Sequence, residues 1–248
     1  MAAQQSVRQL SASALVLLHL APGAAGTLVY IAFAGRVTEA GYPPLAALLL
    51  AIATVIVPIE LAVLGLAHAR NRGQGEPLIA YGAHLPLVDW TKLIPALLIA
   101  AVVGSAIAMP ADNVVAQTLF GWAPTWYLRP IDLAVVGSYS ASAWMVTLVG
   151  YLVLNGVVGP VVEELYFRGW LLPRMNASGR WAPLLNTVLF SVYHFWTPWQ
   201  FLSRVAAVLP FVCVVHARRN VYVGMLVHML LNSLGGLLVT ATVAGHLA

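Results

Sequence analysis

Long apolar runs recur along this chain, and they constrain its fold more than any other feature. Residues 141–159, ASAWMVTLVGYLVLNGVVG, contain no charged side chain. A helix needs about 20 predominantly apolar residues to cross the hydrocarbon of a bilayer. Over the whole chain 61% of residues are hydrophobic and 8% are charged, whereas soluble domains carry about a quarter charged residues. The sequence therefore predicts an integral, multi-pass membrane protein.

The apolar runs divide the chain into about seven candidate spans, with eight as the alternative count. We predict an all-α, polytopic bundle of transmembrane helices. Residues 1–135 are expected to hold the N-terminal helices and an interfacial segment at about 110–135. Residues 136–248 are expected to form a catalytic helical core within the same integrated membrane domain, with its first span able to extend to residue 175. The predicted spans are at about 10–34, 44–67, 92–109, 136–160, 182–197, 201–216 and 221–242.

Basic residues between the spans predict the orientation of the chain. If successive spans alternate in direction, the larger group of Lys and Arg residues marks the cytoplasmic side, so we predict a cytoplasmic N-terminus and a C-terminus on the opposite side. The alanine-rich composition suggests a bacterial plasma membrane. The net charge of +4 comes from these flanking residues and does not indicate nucleic-acid binding. The larger group is Arg8, Arg70, Arg72, Lys92, Arg174, Arg180, Arg218 and Arg219, and the smaller is Arg36, Arg129 and Arg204.

The stretch VVEELYFRGW, residues 161–170, places two glutamates and an arginine inside an otherwise apolar run. A charge at the centre of a bilayer costs about 2.5–3.5 kcal/mol on insertion scales, so such residues are functional or paired. Glu164 and Arg168 stand at i and i+4, in the favourable order for an ion pair on a helix. Glu163 has no such partner and is the better candidate for chemistry, and Pro160 is expected to kink the helix or free a carbonyl there. The alternative is a charged helix end at the cytoplasmic interface.

Two later segments also carry polar residues at helical spacing. His194 follows Phe190 at i+4 in LFSVYHFW, and His228 and Asn232 share one face of HMLLNSLGG. At a rise of about 1.5 Å per residue, the distances from the basic helix ends put these groups and Glu163 at one level in the membrane. This requires the helix of Glu163 to continue to about residue 175. The alternatives are a histidine that packs at an interface and a hydrogen-bonded pair that joins helices.

Together these side chains suit the attack of a water molecule on a carbonyl group. A carboxyl group in a poorly solvated site has its charged form disfavoured, which makes Glu163 a suitable general base near neutral pH. His194 can help to hold the water, while His228 and Asn232 can donate hydrogen bonds to a developing oxyanion. Glu60, in IVPIELAVLG, is another intramembrane carboxylate, either a supporting partner or a packing residue.

Other hydrolytic chemistries have less support in the sequence. No serine lies in a Gly-x-Ser-x-Gly setting, and there is no His-Glu-x-x-His zinc helix. The single cysteine, Cys213, excludes a cysteine metal cluster. We expect no cofactor. Two histidines and a glutamate are nevertheless a donor set for zinc, so a divalent metal stays open from the residues alone.

Three motifs, in this order, carry a resemblance to a known family. EELYFR fits Glu-Glu-x-x-x-Arg, FSVYH fits Phe-x-x-x-His and HMLLN fits His-x-x-x-Asn, on successive apolar segments. Over about residues 155–240 the chain resembles the CAAX-protease and bacteriocin-processing family of intramembrane peptidases, also called the Abi family. The resemblance implies a glutamate-dependent enzyme without a catalytic metal.

The resemblance also implies roles for the motif residues. Glu163 would activate the water with help from His194. His228 and Asn232 would form the oxyanion site. Two further motif residues would act in support, namely Glu164 and Arg168.

The predicted function is that of an intramembrane endopeptidase. It would cleave a peptide bond near the C-terminus, or in a membrane-adjacent segment, of a lipidated or membrane-anchored protein. Its partners would be that substrate and the lipid bilayer, with no nucleic acid. In the family that the chain resembles, substrates include prenylated CaaX tails in eukaryotes and exported peptides or C-terminal sorting signals in bacteria.

Two other functions stay open from the sequence. One is a non-catalytic immunity or scaffold protein, in which the polar cluster ties the helices together. The other is a proton-coupled transporter, because buried Glu and His residues also serve in proton relays. The common transporter folds consist of repeated halves, and this chain shows no such repeat.

Overall fold

The computed structural model describes residues 7–73 and 75–247, and these residues form a bundle of helices. Within these ranges β structure is limited to an isolated bridge between Gly82 and Asn220. Two short helical turns, Thr125–Leu128 and Leu133–Ser138, lie between the third and fourth longer helices. The longer helices are α1 (Ala12–Glu39), α2 (Pro44–Asn71), α3 (Leu87–Leu119), α4 (Ala141–Met175), α5 (Ala182–Tyr193), α6 (Phe201–Arg218) and α7 (Val221–Leu247).

The polytopic helical bundle expected from the sequence is confirmed. Among the described residues, six helices are long and apolar enough to cross a membrane. The remaining predicted span, at about 182–197, is the 12-residue helix α5. At 1.5 Å per residue α5 is about 18 Å long, well short of the roughly 30 Å of a bilayer's hydrocarbon. The apolar run continues beyond α5 as an irregular segment that begins at His194.

The helix that carries Glu163 continues to Met175, as the predicted depth of the site requires. It is not a uniform α-helix, because Leu154–Val158 and Glu164–Leu171 have π-helical hydrogen bonding. Such insertions are frequent at functional sites, since they change the direction in which the following side chains point. Glu163 lies between the two π-helical segments.

Pro160 shapes the middle of α4, where the sequence predicted a freed carbonyl. Because proline has no backbone N–H, carbonyl groups about one turn earlier lose a partner within the helix. The side chain of Asn232 donates to the carbonyl of Asn155 at 2.9 Å, and that of Ser233 donates to the carbonyl of Gly156 at 3.2 Å. These carbonyls therefore fasten α7 to α4 beside the predicted site.

Helix α3 is longer than predicted. We expected a span at about 92–109 and a non-spanning segment at about 110–135, but α3 continues through Asp112. The buried carboxylate of Asp112 accepts hydrogen bonds from the backbone N–H groups of Leu202 and Ser203 at 3.0 and 2.9 Å. These donors lie in the first turn of α6, where N–H groups have no partner in their own helix. An acid in the predicted interfacial segment is thus the N-terminal cap of a neighbouring helix.

Basic residues meet acidic ones at the end of the bundle where the sequence placed the larger basic group. Arg174 pairs with Glu76 from the connection between α2 and α3. The backbone N–H of Leu10 donates to the carbonyl of Arg174, which ties the start of the chain to the end of α4. Arg218 lies 3.7 Å from Asp89 at the start of α3. That this end faces the cytoplasm stays a prediction.

Candidate active site

The four predicted catalytic side chains line one cavity inside the bundle. The cavity has a volume of about 770 Å³. Its wall is mostly apolar along α2 and α3 and becomes polar where α4, α5 and α7 converge. The predicted residues on this wall are Glu163, His194, His228 and Asn232. The structure thus brings the members of the three motifs together, and their chemical roles stay predictions.

Glu164 and Arg168 form the ion pair that their spacing predicts. Oε1 of Glu164 lies 3.2 Å from Nη1 of Arg168, and both side chains are fully buried. The contact lacks full hydrogen-bond geometry at the guanidinium nitrogens. The guanidinium carbon lies 3.9 Å from the centre of the Phe190 ring, well within the range of a cation–π contact. Charge and aromatic packing therefore hold Arg168 in place.

Glu164 also contacts His228, a relationship that the sequence did not predict. Nδ1 of His228 lies 3.1 Å from Oε1 of Glu164, and Nε2 lies 3.8 Å from Oε2 of Glu163. Because an ionised carboxylate accepts and does not donate, we assign a proton to Nδ1. The contact fixes the ring so that Nε2 faces Glu163 at the cavity wall. Glu164 thereby supports both Arg168 and His228.

Glu163 is held from its other side by Tyr193. The Tyr193 hydroxyl lies 3.2 Å from Oε1 of Glu163 and 2.9 Å from Oε1 of Glu60. The side chains of Glu60 and Tyr193 are completely buried. The sequence left Glu60 open between a supporting partner and a packing residue. The structure gives it a hydrogen bond to the same hydroxyl group that contacts the predicted base.

His194 follows the last residue of α5, and its ring lines the cavity. Nδ1 lies 2.8 Å from the carbonyl oxygen of Phe190, which can only accept, so we assign the proton of the neutral ring to Nδ1. Nε2 is then an acceptor for a water molecule. The ring also packs against Tyr193 and Trp196, with centroids 4.9 and 4.7 Å apart. His194 therefore packs among aromatic side chains and also lines the cavity, and its chemical role stays a prediction.

Asn232 lies one turn after His228 on the face of α7 that lines the cavity. One N–H of its side-chain amide donates to the carbonyl of Asn155, which fixes the plane of the amide group. A side-chain amide nitrogen carries two N–H groups. The second is therefore available to a ligand in the cavity.

Arg204 lines the same cavity and was not among the predicted site residues. Its guanidinium donates to the Thr197 hydroxyl at 2.7 Å and to the side-chain oxygen of Gln200 at 3.3 Å. Within residues 7–73 and 75–247, no carboxylate lies at ion-pair distance from it. In the sequence, Arg204 could have been noticed as an arginine inside a predicted span. It belongs to no motif, and we counted it among the basic residues that flank the spans.

Potential metal ligands are not grouped in the part of the chain that the structure describes. No three or more His, Cys, Asp or Glu side chains there are arranged to hold an ion. The contacts of Glu163 and His228 are instead to other protein side chains, as described above.

Comparison with known proteins agrees with the positions of the motifs. Residues 145–234 match the family described as Rce1-like, Type II CAAX prenyl endopeptidase Rce1-like. This range contains all seven motif residues, from Glu163 to Asn232. No curated protein and no solved structure matches the chain. The resemblance seen in the motifs is thus confirmed by a family model that matches the segment carrying them.

Proposed function

We propose that the chain is an intramembrane endopeptidase in which Glu163 activates a water molecule. The observation that carries the proposal is the approach of Glu163 to His228 at 3.8 Å, on the wall of a cavity that His194 and Asn232 also line. The Rce1-like family supports peptidase activity in general. The arrangement of these side chains supports the more specific mechanism.

In the first step Glu163 takes a proton from the water while the water oxygen attacks the carbonyl carbon of the substrate. Nε2 of His194 accepts the second O–H of the water and orients it. Because Tyr193 contacts one oxygen of Glu163, the other oxygen is the one that faces His228 and the water. Holding water, base and carbonyl in one geometry removes much of the entropic part of the barrier.

The carbonyl oxygen becomes negatively charged in this step. The free N–H of Asn232 can donate to it, and so can Nε2–H of His228 when the ring is protonated. Two carboxyl groups, those of Glu163 and Glu164, lie next to the two ring nitrogens of His228. Donors that are already oriented before charge develops are worth about 10²–10³-fold in kcat each.

In the second step the tetrahedral intermediate collapses and the C–N bond breaks. Glu163 passes the proton that it took from water to the leaving amine. The water oxygen remains in the new carboxyl group, and Glu163 returns to its starting charge. The same carboxyl group thus serves first as general base and then as general acid.

Arg204 supports cleavage near a free C-terminus. Its guanidinium is a cation on the wall of the cavity. No carboxylate among the described residues lies at ion-pair distance from it. Guanidinium groups form strong, often paired hydrogen bonds with carboxylates. The substrate is then a lipidated or membrane-anchored protein whose terminal carboxylate contacts Arg204 while a nearby peptide bond reaches Glu163.

Comparing the termini of membrane proteins in cells tests the proposed function. Cells carry the wild-type chain, Glu163→Gln or the control Glu39→Gln at matched levels, and mass spectrometry identifies new N- and C-termini. Glu39 is exposed at the end of α1. We expect termini that occur with the wild type and the control but are absent with Glu163→Gln.

Identical sets of termini in all three strains, with each protein folded and inserted, would contradict the peptidase function. Binding of a membrane partner without cleavage would then favour the scaffold. Solute uptake that depends on a proton gradient and is lost in Glu163→Gln would favour the transporter.

A further inference from the structure

The hydroxyl group of Tyr193 lies between two carboxyl groups, 2.9 Å from Glu60 and 3.2 Å from Glu163. A phenol hydroxyl has one proton to donate, and it accepts through its oxygen. Two full hydrogen bonds at this oxygen therefore need a second proton, which one of the two carboxyl groups has to carry. Which carboxyl group carries it decides whether the proposed base is available to react.

Glu60 has the environment of a neutral acid. Its side chain is completely buried, and its Oε2 has no hydrogen-bond partner among residues 7–73 and 75–247. No Lys, Arg or His in the described ranges lies at ion-pair distance from it. A buried carboxylate without a counter-ion is far less favourable than the neutral acid. Glu163 differs, because it lies 3.8 Å from His228 and lines the cavity.

The charges around the pair lead to the same assignment. Four carboxyl groups interact here with two arginines and one histidine, so a neutral carboxyl group lowers the excess of negative charge. Glu164 is paired with Arg168, and Asp112 accepts two backbone hydrogen bonds. The interacting groups are Glu60, Asp112, Glu163, Glu164, Arg168, Arg204 and His228.

We propose that Glu60 is a neutral carboxylic acid that donates to Tyr193, that Tyr193 donates to Glu163, and that these two bonds position the catalytic base. The first bond sets the direction of the second, because a hydroxyl oxygen that accepts from Glu60 has its own proton left for Glu163. Were Glu60 ionised, Tyr193 would donate to Glu60 and Glu163 would have to carry the proton. A protonated Glu163 cannot take a proton from water. Glu60 touches neither water nor substrate and acts through Tyr193.

The positioning role rests on the proposed peptidase function, whereas the protonation of Glu60 does not. Infrared difference spectroscopy of the purified full chain, in a detergent without ester or carboxyl groups, tests the protonation directly. The carbonyl stretch of a neutral carboxylic acid is separate from the bands of carboxylates and peptide groups. At neutral pH we expect this acid band in the wild type and its loss in Glu60→Gln.

Two further variants keep this test decisive. In Tyr193→Phe the acid band is expected to persist at a shifted frequency, because Glu60 has lost its acceptor. In Glu163→Gln the band is expected to persist as well. The proposal is overturned if the wild type has no acid band, or if the band is lost in Glu163→Gln and kept in Glu60→Gln.

Cleavage kinetics test the positioning role on the substrate that the comparison of termini identifies. The amide of Glu60→Gln can donate to Tyr193 as the acid does, so we expect kcat close to that of the wild type. Glu60→Leu cannot donate, and we expect it to lower kcat about tenfold or more with little change in KM. Tyr193→Phe removes the second bond and is expected to behave like Glu60→Leu.

Tyr193→Phe removes one oxygen atom, so it carries the kinetic test if Glu60→Leu does not fold. An unchanged kcat in both Glu60→Leu and Tyr193→Phe would contradict the positioning role. If the wild type yields no cleaved product at all, the proposed peptidase function has failed, and the acid band still decides the protonation of Glu60.

Discussion

Gly224 on α7 lies against Glu164 on α4 so closely that a Cβ atom on Gly224 would stand 2.5 Å from Oε2 of Glu164. The missing side chain leaves the space in which this carboxylate contacts both Arg168 and His228. Gly236 on the same helix would meet an apolar atom of Leu152 at 2.8 Å, whereas Gly224 meets a carboxylate oxygen. The first motif, with Glu164 and Arg168, and the third, with His228, can therefore meet only if position 224 has no side chain.

Gly224→Ala is expected to displace the carboxylate of Glu164 and weaken its contacts. We expect kcat to fall about tenfold or more, which corresponds to about 1.4 kcal/mol, and the free energy of unfolding to fall by about 1–3 kcal/mol. Substrate cleavage and thermal unfolding in detergent measure the two effects. Gly235→Ala is the matched control on the same helix, because a Cβ atom there meets nothing within 4 Å. Equal effects of the two substitutions would contradict the prediction.

Asn232→Ala is expected to lower kcat about 10²–10³-fold with a small change in KM, because a donor to the oxyanion acts mainly in the transition state. The neighbouring Ser233→Ala is the control. It removes a hydrogen bond between α7 and α4 and is expected to cost about 1 kcal/mol of stability without a comparable loss in kcat. If the activity lost in Asn232→Ala only matches the loss of folded protein, Asn232 serves in helix packing instead.

Gly23→Ala tests how α1 supports the site. A Cβ atom on Gly23 would overlap the backbone carbonyl of Tyr193, so α1 and the end of α5 would have to separate. We expect lower thermal stability, by about 1–3 kcal/mol, and a lower kcat because Tyr193 would move away from Glu163. Gly35→Ala on the same helix meets nothing within 4 Å and is expected to leave both quantities near their wild-type values. A fully active Gly23→Ala would show that the position of Tyr193 does not matter for Glu163.

Contacts within one helix could be predicted from the sequence. The spacing of Glu164 and Arg168 predicted their ion pair, and the missing local partner of Glu163 made it the candidate for chemistry. The rise per residue predicted that His194 and His228 would reach the level of Glu163. The ion pair is confirmed because the geometry of one helix is fixed by its backbone. The common cavity wall of Glu163, His194 and His228 agrees with the predicted level, whereas their chemical roles stay predictions.

Contacts between distant segments could not be predicted in this way. Tyr193 and Glu60 are 133 residues apart, and no periodicity in one helix reports on the other. The length of α5 was misjudged for a different reason, since hydropathy cannot distinguish a helix from an irregular segment that lines a cavity. The aromatic residues around Trp196 are apolar in either case, so the run from about 182 to 197 resembled a complete span.

Asp112→Ala is expected to destabilise the protein through α6. It removes two hydrogen bonds to the first turn of that helix, and the loss of a helix cap costs about 1–2 kcal/mol. Thermal unfolding in detergent is the measurement. Asp132→Ala is the control, because Asp132 makes a single bond at an exposed position, to the backbone of Ala134. A smaller effect of Asp112→Ala than of Asp132→Ala would contradict the capping role.

Arg204→Gln tests whether the cavity recognises a free C-terminus. The substrate found by the comparison of termini is prepared as two peptides, one with a free terminal carboxylate and one with a terminal amide. A hydrogen bond to a charged group contributes about 1.5–3 kcal/mol, so the wild type is expected to cleave the free acid with a kcat/KM about 10–100-fold higher. In Arg204→Gln this preference is expected to disappear, mainly because cleavage of the free acid slows.

The control for this comparison is Arg36→Gln, since Arg36 is an exposed arginine near the end of α1 and does not line the cavity. It is expected to keep the wild-type preference. If the wild type cleaves both peptides equally, the proposed contact with the terminal carboxylate is wrong. A preference that survives in Arg204→Gln would mean that another group binds the carboxylate, and that Arg204 serves to hold Thr197 and Gln200 against α6.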